Sequence, residues 1–287
     1  MLVVSLKEMD ELNQLYTLCD GIVVYTSDFS SFYNKAYNLE EIKEIYSKKK
    51  NLRMILDIEQ MMENKDIIKL SGFIDSLIDL DIYYLYSDLG VHQLLKEKGI
   101  ENRGIYNPST LITNEYDLAF YLNQNMDSAS VSLEIPVEDI IRISKANKYN
   151  VWFKSFGYHQ MFHSKRHLID LYLKHKNLNV NLDNSNSYLR EQKREDKYHI
   201  YQSDKGTLLF RSYVINYLDS IKVIKPKYIY LDNIFQDSNT FIKVVKIYSN
   251  YLKEELDLDS AQNEINSLGL DIEDGFKFKD TVYQKEK

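Results

Sequence analysis

Eight short runs of apolar and β-branched residues recur along the chain, and most are followed by a segment with apolar residues at helical spacing. The runs are continuously apolar, as in strands covered by helices, and the segments between them are long enough for parallel crossovers. The pattern therefore predicts an α/β fold, a (β/α)8 TIM-like barrel, with a doubly wound open sheet as the alternative. The predicted strands are Leu2–Leu6, Gly21–Thr26, Arg53–Ile58, Asp81–Asp88, Arg103–Pro108, Ser128–Ile135, Tyr149–Phe156 and Lys227–Ile234.

The seventh unit carries an insertion, in which YLREQKRE, KYHIYQS and GTLLFRS predict short strands joined by polar turns. We expect this small β subdomain to lie over the barrel mouth. The pattern divides the chain into the first seven units (1–178), the β insertion (179–212), the last barrel unit with a C-terminal helix (213–258), and a tail (259–287) that is loose from Gly275.

Composition narrows the class of protein. Cys19 is the only cysteine in 287 residues, so one chain builds neither a disulfide framework nor a thiolate metal site. No window approaches the roughly 20 apolar residues of a membrane span, and the N-terminus lacks a signal-peptide pattern. We therefore expect a cytoplasmic protein with no membrane partner.

Charge is distributed unevenly. The net charge is −7, which argues against a general nucleic-acid binder, but residues 150–200 hold nine Lys or Arg against five Asp or Glu. The remaining chain then has 27 basic and 38 acidic residues, a balance of −11. This segment is either a solvated helix face or a basic patch that steers an anionic partner.

The segment GYHQMFHSKRHL, Gly157 to Leu168, holds three of the six histidines. Gly157 predicts a turn that ends the seventh strand, followed by a loop and a helix that begins near Ser164. His159, His163 and His167 are four residues apart, so on a continuous helix they would share a face and hold a metal; otherwise they are polar side chains that face an anion.

Ser164, Lys165 and Arg166 at the predicted helix start suit a phosphate group, because free N–H groups and the helix dipole favour an anion there. An ordinary helix cap with solvated charges explains the same residues.

Polar residues also follow other predicted strands. Glu134 ends the sixth and Asp232 ends the eighth, and carboxylates at strand C-termini of a barrel are candidates for its site. Asn107, with Ser109 and Thr110, follows the fifth strand and either orients a polar ligand or forms a turn around Pro108. Asp88 either joins them or caps a helix.

Several segments together resemble the peptidase U32 family, from Met1 to about Asn233. They are GIVVYTSDFS, YSDLGV, YNPSTLITN, SVSLEIPVEDI and WFKSFGYHQMFHSKRHL. The family signature has a Gly shortly before a Cys and then a Ser-Gly-Arg-Cys run. Gly157, Ser164 and Arg166 fall on this pattern, whereas Gln160 and His167 stand where the family has its two cysteines.

The two missing cysteines decide which function the resemblance implies. Family members with four cysteines are iron–sulfur proteins linked to hydroxylation of tRNA wobble uridine, of the ubiquinone ring or of ribosomal RNA, and one cysteine cannot supply four thiolates. The chain is most similar to short, cysteine-free bacterial members found beside a cysteine-bearing paralogue. That subgroup is implied to act with the paralogue in prephenate-dependent formation of 5-hydroxyuridine in tRNA.

Three hypotheses stay open. In the first, the chain binds no cofactor alone and forms a hetero-oligomer with a cysteine-bearing paralogue, which holds the iron–sulfur cluster, while prephenate is a co-substrate. In the second, it is a peptidase in which Glu134 acts beside a metal held by His159 and His163. In the third, it is a non-catalytic scaffold with no small-molecule pocket.

In the tRNA hypothesis, the basic segment meets phosphates and its aromatic residues stack on bases. The predicted catalytic residues are Glu134, His159, His163 and Arg166; the predicted substrate or RNA contacts are Tyr158, Phe162, Ser164, Lys165, His167, Arg190, Lys193, Arg194, Asn107, Asp88 and Asp232.

Overall fold

The eight predicted strands form one closed, parallel barrel, as the sequence pattern predicts. A computed structural model describes residues 1–180, 182–184, 186–193 and 195–279. Neighbouring barrel strands pair in chain order, and the last strand closes the ring by pairing with both the seventh and the first. The barrel strands are β1 Leu2–Ser5, β2 Gly21–Tyr25, β3 Arg53–Asp57, β4 Ile82–Tyr86, β5 Gly104–Tyr106, β6 Ser128–Ser130, β7 Val151–Ser164 and β11 Tyr228–Leu231.

Helices connect the strands and cover the barrel from outside. Polar side chains cap several of them: Asn38 accepts from the amides of Glu40 and Glu41 at the start of the helix that begins at Leu39. The helices are α1 Leu12–Leu15, α2 Leu39–Lys48, α3 Asn64–Asp75, α4 Leu89–Glu97, α5 Glu115–Leu122, α6 Val137–Ala146, α7 Leu168–His175, α8 Ile221–Ile224, α9 Ser238–Leu252 and α10 Leu258–Asn266. None of the described helices has the length and apolarity that crossing a membrane requires.

Side chains alternate between the two faces of each barrel strand. Outward residues such as Val4, Val24 and Leu56 pack beneath the helices. The inward layer is apolar and aromatic, and it fills the barrel with Val3, Val23, Ile55, Leu85, Ile105, Trp152, Tyr228 and Tyr230. The next inward position along each strand therefore lies at the carboxyl end of the barrel.

Strand β7 continues through the His-rich segment to Ser164, so the predicted turn at Gly157 is wrong. Gly157 has φ +126° inside the strand, and a Cβ there would lie 2.8 Å from the carbonyl oxygen of Asp232. The glycine thus permits a close approach of two backbones instead of a chain reversal. The predicted helix start at Ser164 is also wrong, because α7 begins at Leu168.

The second half of β7 is a strand because the insertion supplies its partner. Strand β10 (Gly206–Asn216) pairs antiparallel with β7, and β9 (Lys197–Ser203) and β8 (Tyr188–Arg190) follow in order. One face of this sheet packs on the loops of the barrel: the ring of Phe210 lies 5.2 Å from that of Phe32. The insertion thus covers part of the barrel mouth.

The C-terminal segment packs against the barrel as far as it is described. Helix α10 contacts α9, and Lys277 is 3 % exposed, with its Nζ 2.6 Å from both carboxylate oxygens of Asp219. The loose tail expected from Gly275 is therefore wrong for residues 275–279, while residues 280–287 lie outside the described part of the chain.

Candidate functional site

The inward layer at the carboxyl end of the barrel is polar on every strand. It consists of Ser5, Tyr25, Asp57, Ser87, Asn107, Ser130, Lys154 and Asp232. Most of these residues line a cavity of about 110 Å³, which the second half of β7 bounds through His159 and His163. We call this cavity the mouth. Its lining residues are Tyr25, Ser31, Phe32, Glu59, Ser87, Asn107, Ser109, Ser130, Val131, Leu133, Trp152, Lys154, His159, Gln160, His163, Tyr230 and Asp232.

Asp232 is the centre of one half of the mouth. Its carboxylate accepts from Lys154 Nζ over 2.5 Å, from the Tyr25 hydroxyl over 3.0 Å and from the amide of Ile234 over 3.1 Å. The Tyr25 hydroxyl also lies 3.0 Å from that of Tyr230. Because Asp232 is 1 % exposed, this ion pair is stable only while both partners and their hydrogen bonds remain in place.

The other half contains Glu59, on the loop after β3, which lines the mouth; Asp57, at the end of β3, lies buried beside it. Asn107 Nδ2 donates to Glu59 Oε1 over 2.6 Å, and the Ser130 hydroxyl donates to Asn107 Oδ1 over 2.6 Å. Burial raises the pKa of Asp57 to about 6. Burial, and then the negative charge of Asp57, raises the pKa of Glu59 well above its usual range. Of the two acids, Glu59 is therefore the one on which a proton is favoured, next to the carboxylate of Asp57.

His159 joins the mouth to a charged pair behind it. Its Nε2 lies 3.7 Å from Glu134 Oε1, which in turn lies 3.9 Å from Arg211 Nη2. Burial lowers the pKa of His159, so the ring is neutral near pH 7, and His159 followed by Arg211 lowers the pKa of Glu134. The Nε2 atom of His159 is buried and makes no hydrogen bond to any described residue.

The metal arrangement of the peptidase hypothesis does not form. His159 and His163 lie on a strand, where four residues span roughly 13 Å and side chains stand roughly parallel, so the two imidazoles do not converge on one ion. His167 precedes α7 and is exposed. Within the described ranges, no three His, Cys, Asp or Glu side chains are grouped to hold a metal.

The start of α7 is not an open phosphate site of the predicted kind. The amides of Leu168 and Ile169 already donate to the side chains of Thr207 and Gln202, each over 2.9 Å. Ser164 ends β7, and Lys165 Nζ pairs with Glu63 over 2.7 Å. The prediction placed the helix too early because it treated the polar sequence after Gly157 as a loop.

The other predicted contacts are dispersed. Tyr158 packs against His199 and Phe235, with ring centres 4.6 Å and 5.7 Å away. Phe162 is 44 % exposed and lines a separate apolar groove of about 580 Å³ between α7 and the insertion strands.

Arg166, Arg190 and Lys193 are exposed on the insertion side, whereas Arg194 lies outside the described residues. Asp88 caps α4 by accepting from the amide of Gly90, which agrees with the capping alternative. Of the predicted site residues, the mouth therefore brings together Asn107, His159, His163 and Asp232.

Comparison with known proteins identifies the family. The sequence profile described as "Peptidase family U32" matches residues 19–278. This chain belongs to peptidase family U32. It is also similar to a protein of Bacillus subtilis (strain 168) named "tRNA hydroxylation protein P2", with 20 % identity over 254 residues that cover 82 % of each chain.

Sequence reasoning missed several residues in or next to the mouth of this U32 protein. Asp57 ends the strand run RMILDI, so the rule that selected Glu134 and Asp232 would have found it. Lys154 was visible as a lone charge inside an apolar strand. Glu59 and Tyr25 carried no comparable signal, because only closure of the barrel brings their strands to one cavity.

Proposed function

We propose that this U32 protein is a subunit, without an iron–sulfur cluster of its own, of an assembly that hydroxylates tRNA. The supporting observation is its likeness over 254 residues to a tRNA hydroxylation protein, combined with a cavity lined by acid, base and hydrogen-bonding groups. In this proposal the modification is 5-hydroxylation of the wobble uridine and depends on prephenate. A cysteine-bearing paralogue holds the cluster, because the single Cys19 cannot supply four thiolate ligands.

The chemistry available to this chain is proton transfer. The raised pKa of Glu59 favours a proton that this side chain can donate to a substrate in the mouth, and the carboxylate of Asp57 beside it carries the negative charge. Exposed cations in and beside the insertion, such as Lys193 and Arg166, provide the surface on which tRNA phosphates bind. Burial raises the pKa of the Cys19 thiol to about 12, so it is not a ready thiolate for catalysis.

Nucleoside mass spectrometry of total tRNA from cells with and without the gene tests this proposal. Loss of 5-hydroxyuridine-derived nucleosides, restored by the intact gene, supports it. Unchanged tRNA in this strain and in a double deletion with the paralogue contradicts it. Cells that cannot make prephenate should lose the same nucleosides, and purification of the tagged chain should recover the paralogue in stoichiometric amount.

A further inference from the structure

The net charge of the mouth is close to zero, although charged residues line it. Among its lining residues, Lys154 is the one Lys or Arg, and its ammonium group is held by Asp232 at 2.5 Å. Burial and the adjacent Asp57 charge raise the pKa of Glu59, which favours its uncharged form. A small carboxylate entering the mouth would find no free cation and would meet Asp57 nearby, so it would lose hydration without an opposing charge.

Two histidines that line this cavity each have a ring nitrogen without a hydrogen-bond partner among the described residues. Nε2 of His159 and Nε2 of His163 are buried without a hydrogen-bond partner among the described residues, and His159 is 8 % exposed. Buried polar atoms of this kind usually have a partner. Burial lowers the pKa of both rings, so each Nε2 offers a neutral donor or acceptor, not a positive charge.

The walls of the mouth favour a flat ligand. Tyr25, Phe32, Trp152 and Tyr230 supply aromatic surface, and Asn107 with Ser130 and Ser109 supplies polar groups around it. A planar ring with an imide edge, which places a donor between two acceptors, satisfies neutral groups without carrying charge into the site. The cavity of about 110 Å³ admits a ligand of several non-hydrogen atoms.

We propose that the mouth of this chain, not only that of a partner, receives an uncharged pyrimidine base turned out of an RNA strand, with His159 Nε2 as its hydrogen-bond partner. This inference rests on the proposed function, tRNA hydroxylation, and places the base to be modified in the mouth. The phosphates stay outside the barrel, beside the basic insertion, while the base alone enters. Glu134, 3.7 Å from His159 Nε2, positions the imidazole without touching the base.

A photochemical cross-link tests this placement with the purified full-length chain. An RNA stem-loop that carries a single 4-thiouridine in its loop is bound to the protein, irradiated, digested and mapped by mass spectrometry. We expect cross-linked peptides that contain mouth residues such as Tyr25, Trp152 or His159. In His159→Ala, we expect a cross-link yield lower by about fivefold to tenfold, the usual effect of one lost hydrogen bond.

The matched control is His92→Ala, since His92 is also 8 % exposed but lies on α4, outside the barrel, with its Nδ1 2.9 Å from the Tyr86 hydroxyl. This variant should cross-link like the wild type. Circular dichroism of both variants excludes unfolding as the cause of a loss.

Cross-links confined to the outer face of the insertion overturn the inference, as does RNA that fails to bind or cross-link to the purified chain. Saturable, His159-dependent binding of phthalate, a small dicarboxylate probe, in competition with the RNA base would also overturn it, because the mouth would then select an anion. If tRNA from the deletion strain lacks hydroxylated uridine while the cross-link avoids the mouth, the proposed function stands and only this inference fails.

Discussion

At the amino-terminal end of the barrel, Arg53 donates to the Tyr228 hydroxyl over 2.6 Å and lies 4.3 Å from the centre of the Tyr83 ring. Lys227 pairs there with Asp127 over 2.9 Å. At the carboxyl end, acidic residues outnumber cations, Asp57 and Glu59 have raised pKa values, and the buried His159 Nε2 lacks a described partner. Both ends contain an ion pair, but the carboxyl end also holds carboxyl groups whose raised pKa values suit proton transfer.

The largest expected effect concerns the ion pair of the mouth. Lys154→Met leaves the carboxylate of Asp232 buried and without its cation, so we expect the free energy of unfolding to fall by about 3–5 kcal/mol. Urea denaturation followed by circular dichroism measures the change. The exposed pair of Lys35 with Glu8 is the control: Lys35→Met should leave the midpoint unchanged. Equal effects of the two substitutions would contradict the role given to the buried pair.

The second prediction compares substitutions at the two ends of the barrel by their effect on tRNA hydroxylation. Glu59→Gln keeps the size of the side chain but removes the acidic proton, so we expect hydroxylation to slow by about 100-fold, as for loss of a general acid. Tyr83→Phe, at the opposite end, should retain activity. Complementation of the deletion strain with each variant, read by tRNA nucleoside mass spectrometry, makes the comparison. Full modification with Glu59→Gln would exclude Glu59 as the proton donor.

The third prediction follows from the protonation of the mouth. The folded-state pKa of Asp57 is raised to about 6 from an ordinary 3.8, so its contribution to stability is present below about pH 4 and is lost as pH rises through about 6. Asp57→Asn lacks this loss. We therefore compare the free energy of unfolding of Asp57→Asn with that of the wild type at each pH. The variant minus the wild type should be larger at pH 7.5 than at pH 4.5 by about 1–3 kcal/mol.

Urea denaturation at the two pH values measures the difference for both proteins. The variant also loses the hydrogen bonds of the Asp57 carboxylate. Their effect on the free energy of unfolding is the same at both pH values, so it cancels when the two differences from wild type are compared. The same offset at pH 4.5 and pH 7.5 would mean that Asp57 does not titrate in this range.

The two ends also differ in how far the sequence predicts them. Apolar runs locate all eight barrel strands, because burial beneath helices is a local property of each run. The second half of β7 was not predicted, because its partner β10 lies about 50 residues further along the chain and the polar histidine segment has no apolar pattern of its own. Asn107 and Asp232 were predicted from strand ends, whereas Glu59 lies on the loop beyond β3 and joins the site through tertiary contacts such as its hydrogen bond from Asn107.

The fourth prediction tests the strand that links barrel and insertion. Gly157→Ala places a Cβ 2.8 Å from the Asp232 carbonyl oxygen at φ +126°, so we expect a loss of about 1–3 kcal/mol in the free energy of unfolding. Gly72 is the matched control, since it lies inside α3 and a Cβ added there would have no atom within 4 Å, and Gly72→Ala should add about 0.5–1 kcal/mol. Opposite signs in urea denaturation would show that β7 passes straight through Gly157 against Asp232. Because that approach also sets the backbone from which Asp232 reaches Lys154, the destabilised variant should lose RNA cross-linking at the mouth as well, whereas Gly72→Ala should not.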